Sequence, residues 1–144
     1  MALIRCDFFS DALGVGTSMT VLLPQPTTSQ IGVDGGGSDG PPDVLYLLHG
    51  LSDDATAWSR YTSIERYAEA AGLAVVMPQV QRSFYCDQAH GARYWTFLTE
   101  ELPDVVHTLD PGAELPMHTD SAEELFPAEL FGFVPPCDVL APIE

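Results

Sequence analysis

The sequence predicts an α/β fold with a largely parallel central sheet, and three observations carry that prediction. Two short runs, residues 44–48 and 73–77, are apolar throughout and stop abruptly, the first at His49-Gly50 and the second at Pro78. Strands buried on both faces read this way, whereas half-exposed strands alternate. Residues 55–71 and 94–109 instead place their apolar side chains at helical spacing. Strand and helix in alternation make a parallel sheet with helices on its faces.

Taken in order, residues 3–9 (Leu3, Ile4, Cys6, Phe8, Phe9) and 17–23 (Thr17, Met19, Val21, Leu22, Leu23) read as two strands. Gly14 and Gly16 lie between them, as a hairpin or bulged turn requires. Residues 24–42 are a loop of Thr, Ser, Gly, Asp and Pro centred on Gly35-Gly36-Gly37. Three glycines are one ingredient of a phosphate cradle, but neither Lys-Ser/Thr nor a helix follows, so the segment reads as a flexible surface insertion. The strand at 43–48 comes next. A single helix is expected over 55–71, where Ala57, Trp58, Tyr61, Ile64, Tyr67, Ala68 and Ala71 fall at helical spacing, with Gly72 as its stop. The strand at 73–77 and a long loop over 79–92 lead to a second helix over 94–109.

Beyond Leu109 the character changes. Residues 110–144 hold six prolines and eight acidic residues without one lysine or arginine. Asp120 to Phe126 could start a short capped helix, and Phe131, Phe133 and Val134 could cover apolar surface, but no strand suited to a parallel sheet is visible. The expected division is therefore an α/β portion over 1–109 and an acidic, proline-rich tail over 110–144.

The whole chain has 144 residues, with five arginines, no lysine and 21 acidic residues, a net charge of −16. The length suits one domain with a real core. The charge repels nucleic acid and anionic membranes, which argues against both as partners. No segment approaches the roughly 18 apolar residues of a membrane span. The N-terminus lacks a basic stretch followed by a long apolar one, so no signal peptide is expected. Cys6, Cys86 and Cys137 form neither a zinc pattern nor a disulfide framework, and a reducing, cytoplasmic home is the simplest expectation.

The motifs match a known family. Val44-Leu45-Tyr46-Leu47-Leu48-His49-Gly50-Leu51-Ser52, Trp58, Leu73-Ala74-Val75-Val76-Met77-Pro78, Ser83-Phe84-Tyr85 and Tyr94-Trp95-Thr96-Phe97-Leu98-Thr99-Glu100-Glu101-Leu102-Pro103 occur in the order and spacing of one group of enzymes. Together they resemble the N-terminal half of α/β-hydrolases of the esterase D, S-formylglutathione hydrolase and tributyrin-esterase-like group. The resemblance covers about the first three quarters of the chain, and the two N-terminal strands fit the antiparallel edge with which these enzymes begin. It implies a serine hydrolase of short acyl esters or thioesters that works through a Ser-Asp-His triad without a metal or organic cofactor. One functional position carries over: the backbone N–H of Leu51, in the loop supported by His49 and Gly50, as an oxyanion-hole donor.

The family's nucleophile follows in a Gly-x-Ser-Met-Gly-Gly turn, with Asp and His later. The corresponding window here holds Pro116-Met117-His118-Thr119-Asp120-Ser121-Ala122. Ser121 has no flanking glycine and no apolar strand before it, so it cannot form the strained elbow. The departure from about Leu109 onward removes the nucleophile, the second oxyanion donor and both triad partners.

Other candidates are weaker. Ser18, in Gly16-Thr17-Ser18-Met19-Thr20, precedes an edge strand rather than a helix and lacks the final glycine. Cys86 and His90, four apart, could pair as thiol and base or as two metal ligands, but zinc wants more ligands nearby and the resemblance places them in a variable loop at the pocket mouth. His49 reads as bonding loop backbone rather than as a general base. His107 and His118 read as surface residues. Glu100 and Glu101, adjacent on a helix, point about 100° apart and read as a solvated face rather than an acid/base pair. Trp58, Tyr94 and Trp95 read as core, with Trp95 the one that could border substrate.

The expectation is a truncated or frameshifted carboxylesterase that is inactive as this chain because its nucleophile and triad partners are absent. The alternative is a non-catalytic half-hydrolase acting as an interaction module. Its unpaired sheet edge invites self-association. A complete enzyme built on Cys86 is the remaining reading.

Overall fold

The computed structural model describes residues 1–25 and 40–109. Four strands form one mixed sheet: β1 (Ala2–Ser10), β2 (Val15–Leu23), β3 (Val44–Tyr46) and β4 (Ala74–Pro78), in spatial order β1-β2-β4-β3. β1 and β2 are an antiparallel hairpin in register from Ala2↔Leu23 to Ser10↔Val15. β2 also pairs antiparallel with β4, and β3 lies parallel to β4. The expected edge of two antiparallel strands leading into a parallel pair is thus present. In the turn of the hairpin Gly14 sits at φ +67°, a left-handed position that suits a residue without Cβ, and its N–H returns to the Ser10 carbonyl at 2.8 Å.

All five residues of β4 are buried, which is why the run carries no polar alternation. Its side chains still divide by parity, because successive residues of a strand face opposite ways. Val75 and Met77 join Leu22 and Ala68 on one face, while Val76 joins Met19, Val21, Val80, Phe97, Leu102 and Val106 on the other. Phe97 is fully buried and stacks on Phe8 with ring centroids 6.2 Å apart. The sheet therefore sits between two helical layers.

The helix expected over 55–71 is two helices, α1 (Ala57–Tyr61) and α2 (Ile64–Ala71). Thr62 breaks them apart. Its backbone is extended (φ −136°, ψ 174°), its hydroxyl donates to the Trp58 carbonyl at 2.6 Å, and the same oxygen accepts the Ile64 N–H at 3.2 Å. A threonine that satisfies backbone groups locally competes with the helical ladder. Gly72 stops α2 as expected, at φ +67°, with the Leu73 N–H returning to the Ala68 carbonyl at 2.9 Å.

The helix expected over 94–109 is continuous but not uniform: α3 (Tyr94–Thr96), a π-helical turn (Phe97–Glu101) and α4 (Leu102–Leu109). The Leu102 N–H donates to the Phe97 carbonyl, five residues back. Pro103 accounts for the wider turn: it has no N–H, and its ring clashes with a carbonyl four residues earlier in a regular α-helix.

The strand expected at 43–48 is only three residues long, though the Leu47 N–H extends the ladder by one bond to the Val76 carbonyl at 2.8 Å. Its Tyr46 hydroxyl is buried with no hydrogen-bond partner among the described residues, and burial pushes the phenol up to about 12. Tyr46→Phe is therefore expected to stabilise the fold by about 1 kcal/mol, by removing a desolvated donor that gains nothing. The folded phenol holds its proton above the pH where the unfolded one loses it, so stability falls between about pH 10 and about 12. Denaturant unfolding of both proteins at pH 7 and 11 checks this, with a shallower alkaline loss expected for the variant.

The expectations for Gly35-Gly36-Gly37, Ser121, His118, Cys137 and the whole of residues 110–144 lie outside the described residues.

Candidate functional site

β3 ends where the polypeptide must leave the sheet, and residues 47–53 make that exit a rigid loop. His49 is buried, and both of its ring nitrogens are engaged: Nδ1 lies 2.8 Å from the Gly50 carbonyl, and Nε2 lies 3.1 Å from the Val80 backbone nitrogen. A backbone N–H can only donate, so Nε2 is the acceptor and the proton sits on Nδ1, donating to Gly50. The neutral ring thus ties the loop after β3 to the segment after β4. It has no nitrogen left over for proton transfer. The indole N–H of Trp58 holds the preceding carbonyl, that of Leu48, at 2.9 Å.

This pinning has a consequence for Leu51. The Gly50 carbonyl and the Leu51 N–H belong to one peptide unit, which is planar and trans, so they point in opposite directions. The Gly50 carbonyl accepts from His49 Nδ1 and also from the Asp53 N–H at 3.1 Å. Its direction is set twice over, and that sets the direction of the Leu51 N–H. Among the described residues no protein acceptor takes that N–H, and Leu51 is 44% exposed. The loop thus presents a fixed, uncommitted backbone donor at the end of a central sheet, the type of group that stabilises a developing oxyanion.

After the loop, Gln79 Oε1 accepts the Ala55 N–H at 2.8 Å, and Asp54 braces the start of α1 through Thr56 and pairs with Arg60 at 3.0 Å. The Thr56 hydroxyl and N–H, followed by Arg60, hold the Asp54 carboxyl below the usual range. The segment 79–93 contacts the loop through Val80 and Tyr85. Gln81, Phe84 and Tyr85 all take left-handed backbone, at φ +52°, +51° and +63°. Each non-glycine residue there costs of order 1–3 kcal/mol, and such strain persists only where surrounding contacts over-determine it. Here Ser83, itself buried, accepts the Tyr85 N–H on its hydroxyl at 3.0 Å and the Cys86 N–H on its carbonyl at 3.2 Å. The result delivers the Tyr85 hydroxyl to the His49 carbonyl at 2.5 Å, and burial raises the phenol above its ordinary range.

The other candidates fall elsewhere. Ser18 lies inside β2, paired with Asp7 across the hairpin, with its carbonyl accepting the Gln79 N–H at 2.9 Å. It is on a strand, not on a turn. Cys86 follows Tyr85 in the strained segment, its thiol 3.3 Å from the Phe84 carbonyl, and His90 is exposed farther along. Among the described residues no group of three or more His, Cys, Asp and Glu side chains is placed to hold a metal ion. Tyr94 is buried, Trp95 is half-buried at the start of the second helical layer, and His107 is exposed on α4. Among the described residues no helix is long and apolar enough to cross a membrane.

Glu101 corrects the expectation of a solvated carboxylate pair. Glu100 is exposed, but Glu101 reaches across to the β1–β2 turn, where its carboxylate accepts Ser10 Oγ–H at 2.6 Å, Asp11 N–H at 2.8 Å and Ala12 N–H at 3.1 Å. Ser10 Oγ in turn accepts the Leu13 N–H at 3.1 Å. Nothing local in the sequence signals this, since the partners are about ninety residues apart. Tyr85 is legible in the sequence only as part of Ser83-Phe84-Tyr85, and its contact with His49 depends on backbone angles that no apolar pattern encodes.

Comparison with known proteins agrees with this architecture. The family model described as "Putative esterase" matches residues 10–113. The chain is 39% identical to two solved Staphylococcus aureus proteins, the fluorophosphonate-binding serine hydrolase FphF (TM-score 0.66) and the S-formylglutathione hydrolase FrmB (TM-score 0.62). Each match covers 78% of this chain and 43% of the other. An S-formylglutathione hydrolase from Agrobacterium tumefaciens has the same fold at 18% identity and TM-score 0.60, with 75% of this chain and 48% of that one covered. No curated protein matches significantly. The chain spans less than half the length of these solved relatives, and the match to the family model takes in well over half of its own residues; it belongs to the esterase family of α/β-hydrolases.

Proposed function

We propose that this chain carries the oxyanion-loop half of a serine hydrolase of short acyl esters or thioesters, and that it has no hydrolytic activity by itself. The observation that supports this most directly is the Leu51 N–H, held in direction by His49 and Asp53 and taken by no described protein acceptor. In the full reaction a serine attacks the acyl carbonyl, a histidine moves its proton, and the Leu51 N–H with a second backbone donor holds the tetrahedral oxyanion. Downstream of the His49-Gly50 loop this chain contains no Gly-x-Ser-x-Gly, so the attacking group and its base must come from elsewhere. Losing them removes on the order of 10⁶ in rate, judged from triad deletions in other serine hydrolases.

On this reading residues 1–109 are hydrolase and the acidic tail from 110 is unrelated to it, a division supported by the family match ending at residue 113. An interruption of an esterase reading frame near Leu109 accounts for the loss of both basic residues and periodicity at one point. The three unpatterned cysteines support a reducing, cytoplasmic setting. The second reading, a non-catalytic module that associates through its sheet, is favoured by β3: it is the last strand in the described sheet and Leu45 is exposed.

The purified chain is expected to hydrolyse p-nitrophenyl acetate no faster than buffer and to take up no serine-directed organophosphate. Turnover that the organophosphate abolishes overturns the assignment. Translating the coding DNA for several hundred bases beyond Val105 separates the two readings. A Gly-x-Ser-x-Gly followed by Asp and His in any frame identifies an interrupted esterase, and its absence selects the module.

A further inference from the structure

We propose that Tyr85 is a positioning residue for the Leu51 backbone donor, acting by locking the peptide unit that precedes Gly50. This rests on reading the loop as an oxyanion loop. Gly50 is the one residue in the loop with no side chain, and it is the swivel between two peptide planes. The plane after it, which contains the Leu51 N–H, is held through the Gly50 carbonyl by His49 Nδ1 and the Asp53 N–H. The plane before it contains the His49 carbonyl and the Gly50 N–H. For that plane the hydrogen bond found among the described residues is the one from the Tyr85 hydroxyl, at 2.5 Å. With both planes held, neither torsion of Gly50 is free, and the Leu51 N–H cannot flip away. With the Tyr85 hydroxyl gone, the first plane can rotate against the second.

The position of Tyr85 is consistent with a purpose beyond filling space. Two consecutive left-handed residues, Phe84 and Tyr85, and a turn organised by buried Ser83 are used to bring one phenol to one carbonyl. A phenylalanine would fill the same volume without reaching the oxygen, so packing alone does not account for the hydroxyl. A phenol is protonated and able to donate through the physiological range, and burial raises it further.

The test is ¹H–¹⁵N NMR of the chain as it stands and of Tyr85→Phe, with Ser83→Ala as a second variant that loosens the turn delivering the phenol. Accepting a hydrogen bond at the His49 carbonyl polarises the same peptide unit as the Gly50 nitrogen. Tyr85→Phe is therefore expected to move the Gly50 ¹⁵N resonance. It is also expected to broaden Gly50, Leu51 and Ser52 through microsecond-to-millisecond exchange, with the β1, β2 and β4 amides unchanged. The thermal midpoint should fall by no more than about 4–8 °C, the drop that one lost hydrogen bond explains in a domain of this size. Ser83→Ala should broaden the same three amides. Unchanged, sharp Gly50 and Leu51 signals in Tyr85→Phe overturn the proposal, as does perturbation spread evenly over the sheet, which marks a general packing role. The measurement does not depend on catalysis, so the absence of a downstream Gly-x-Ser-x-Gly would remove the enzymatic reading without changing what the spectra say about Tyr85.

Discussion

His49→Ala is expected to destabilise the fold by about 3 kcal/mol, measured as the shift in urea unfolding of the purified chain. Two costs add. The substitution strips the acceptor from the Val80 N–H, and Val80 is fully buried, so that donor loses its partner where water is excluded. An orphaned buried donor costs about 1–3 kcal/mol. It also removes the ring from a site that is 2% exposed, leaving a cavity of the kind that penalises large-to-small changes in cores. Two companions separate these costs. His49→Phe restores volume without hydrogen bonds and should recover only the cavity part. His49→Gln offers one donor and one acceptor on a flexible chain and should recover part of the bonding. A loss below about 0.5 kcal/mol in His49→Ala would show that water replaces the ring and that the imidazole does not hold the loop.

The second large effect is expected at Glu101. Its carboxylate gathers three donors from the β1–β2 turn, two of them backbone N–H groups. Hydrogen bonds to a charged acceptor contribute more than neutral ones, about 1.5–3 kcal/mol each, but Asp11 is exposed and water can replace that bond. Glu101→Ala is therefore expected to cost about 3 kcal/mol and to raise hydrogen exchange selectively in residues 10–14. Glu101→Gln should fall between, because its NH₂ must face either the Asp11 N–H or the pair formed by Ser10 and Ala12, donor against donor. Equal stability of the Gln variant and the parent would show that the turn needs only the shape of the side chain. Since Glu101 lies in the π-helical turn just before Pro103, it ties the widened helix to the hairpin, beside the stacking of Phe97 on Phe8.

The two effects differ in how visible they are in the sequence. His49 stands out because an apolar strand stopping at His-Gly is a local pattern, and its sense as a loop residue can be argued from neighbouring positions. Glu101 stands in a local pattern as well, but that pattern points to solvent. Helical spacing on either side gives no reason to expect a carboxylate facing a turn from the other end of the described fold. The break at Thr62 is hidden for a related reason: apolar periodicity from Ala57 to Ala68 runs through it, because α1 and α2 both cover the same sheet face, and only the hydroxyl's own hydrogen bonds reveal the stop.

Short-range chemistry is enough to place much of this protein. Side-chain parity and apolar runs locate the strands, a glycine ends α2, and the order of motifs identifies the esterase family without coordinates. Three features wait on the folded backbone: which nitrogen of His49 carries the proton, that Tyr85 reaches the His49 carbonyl, and that Glu101 clamps the hairpin. Those contacts span 31, 36 and about 90 residues of chain. A hydrogen bond needs its two atoms within about 3 Å and aligned, a condition on the path of the whole backbone that no window of neighbouring residues contains.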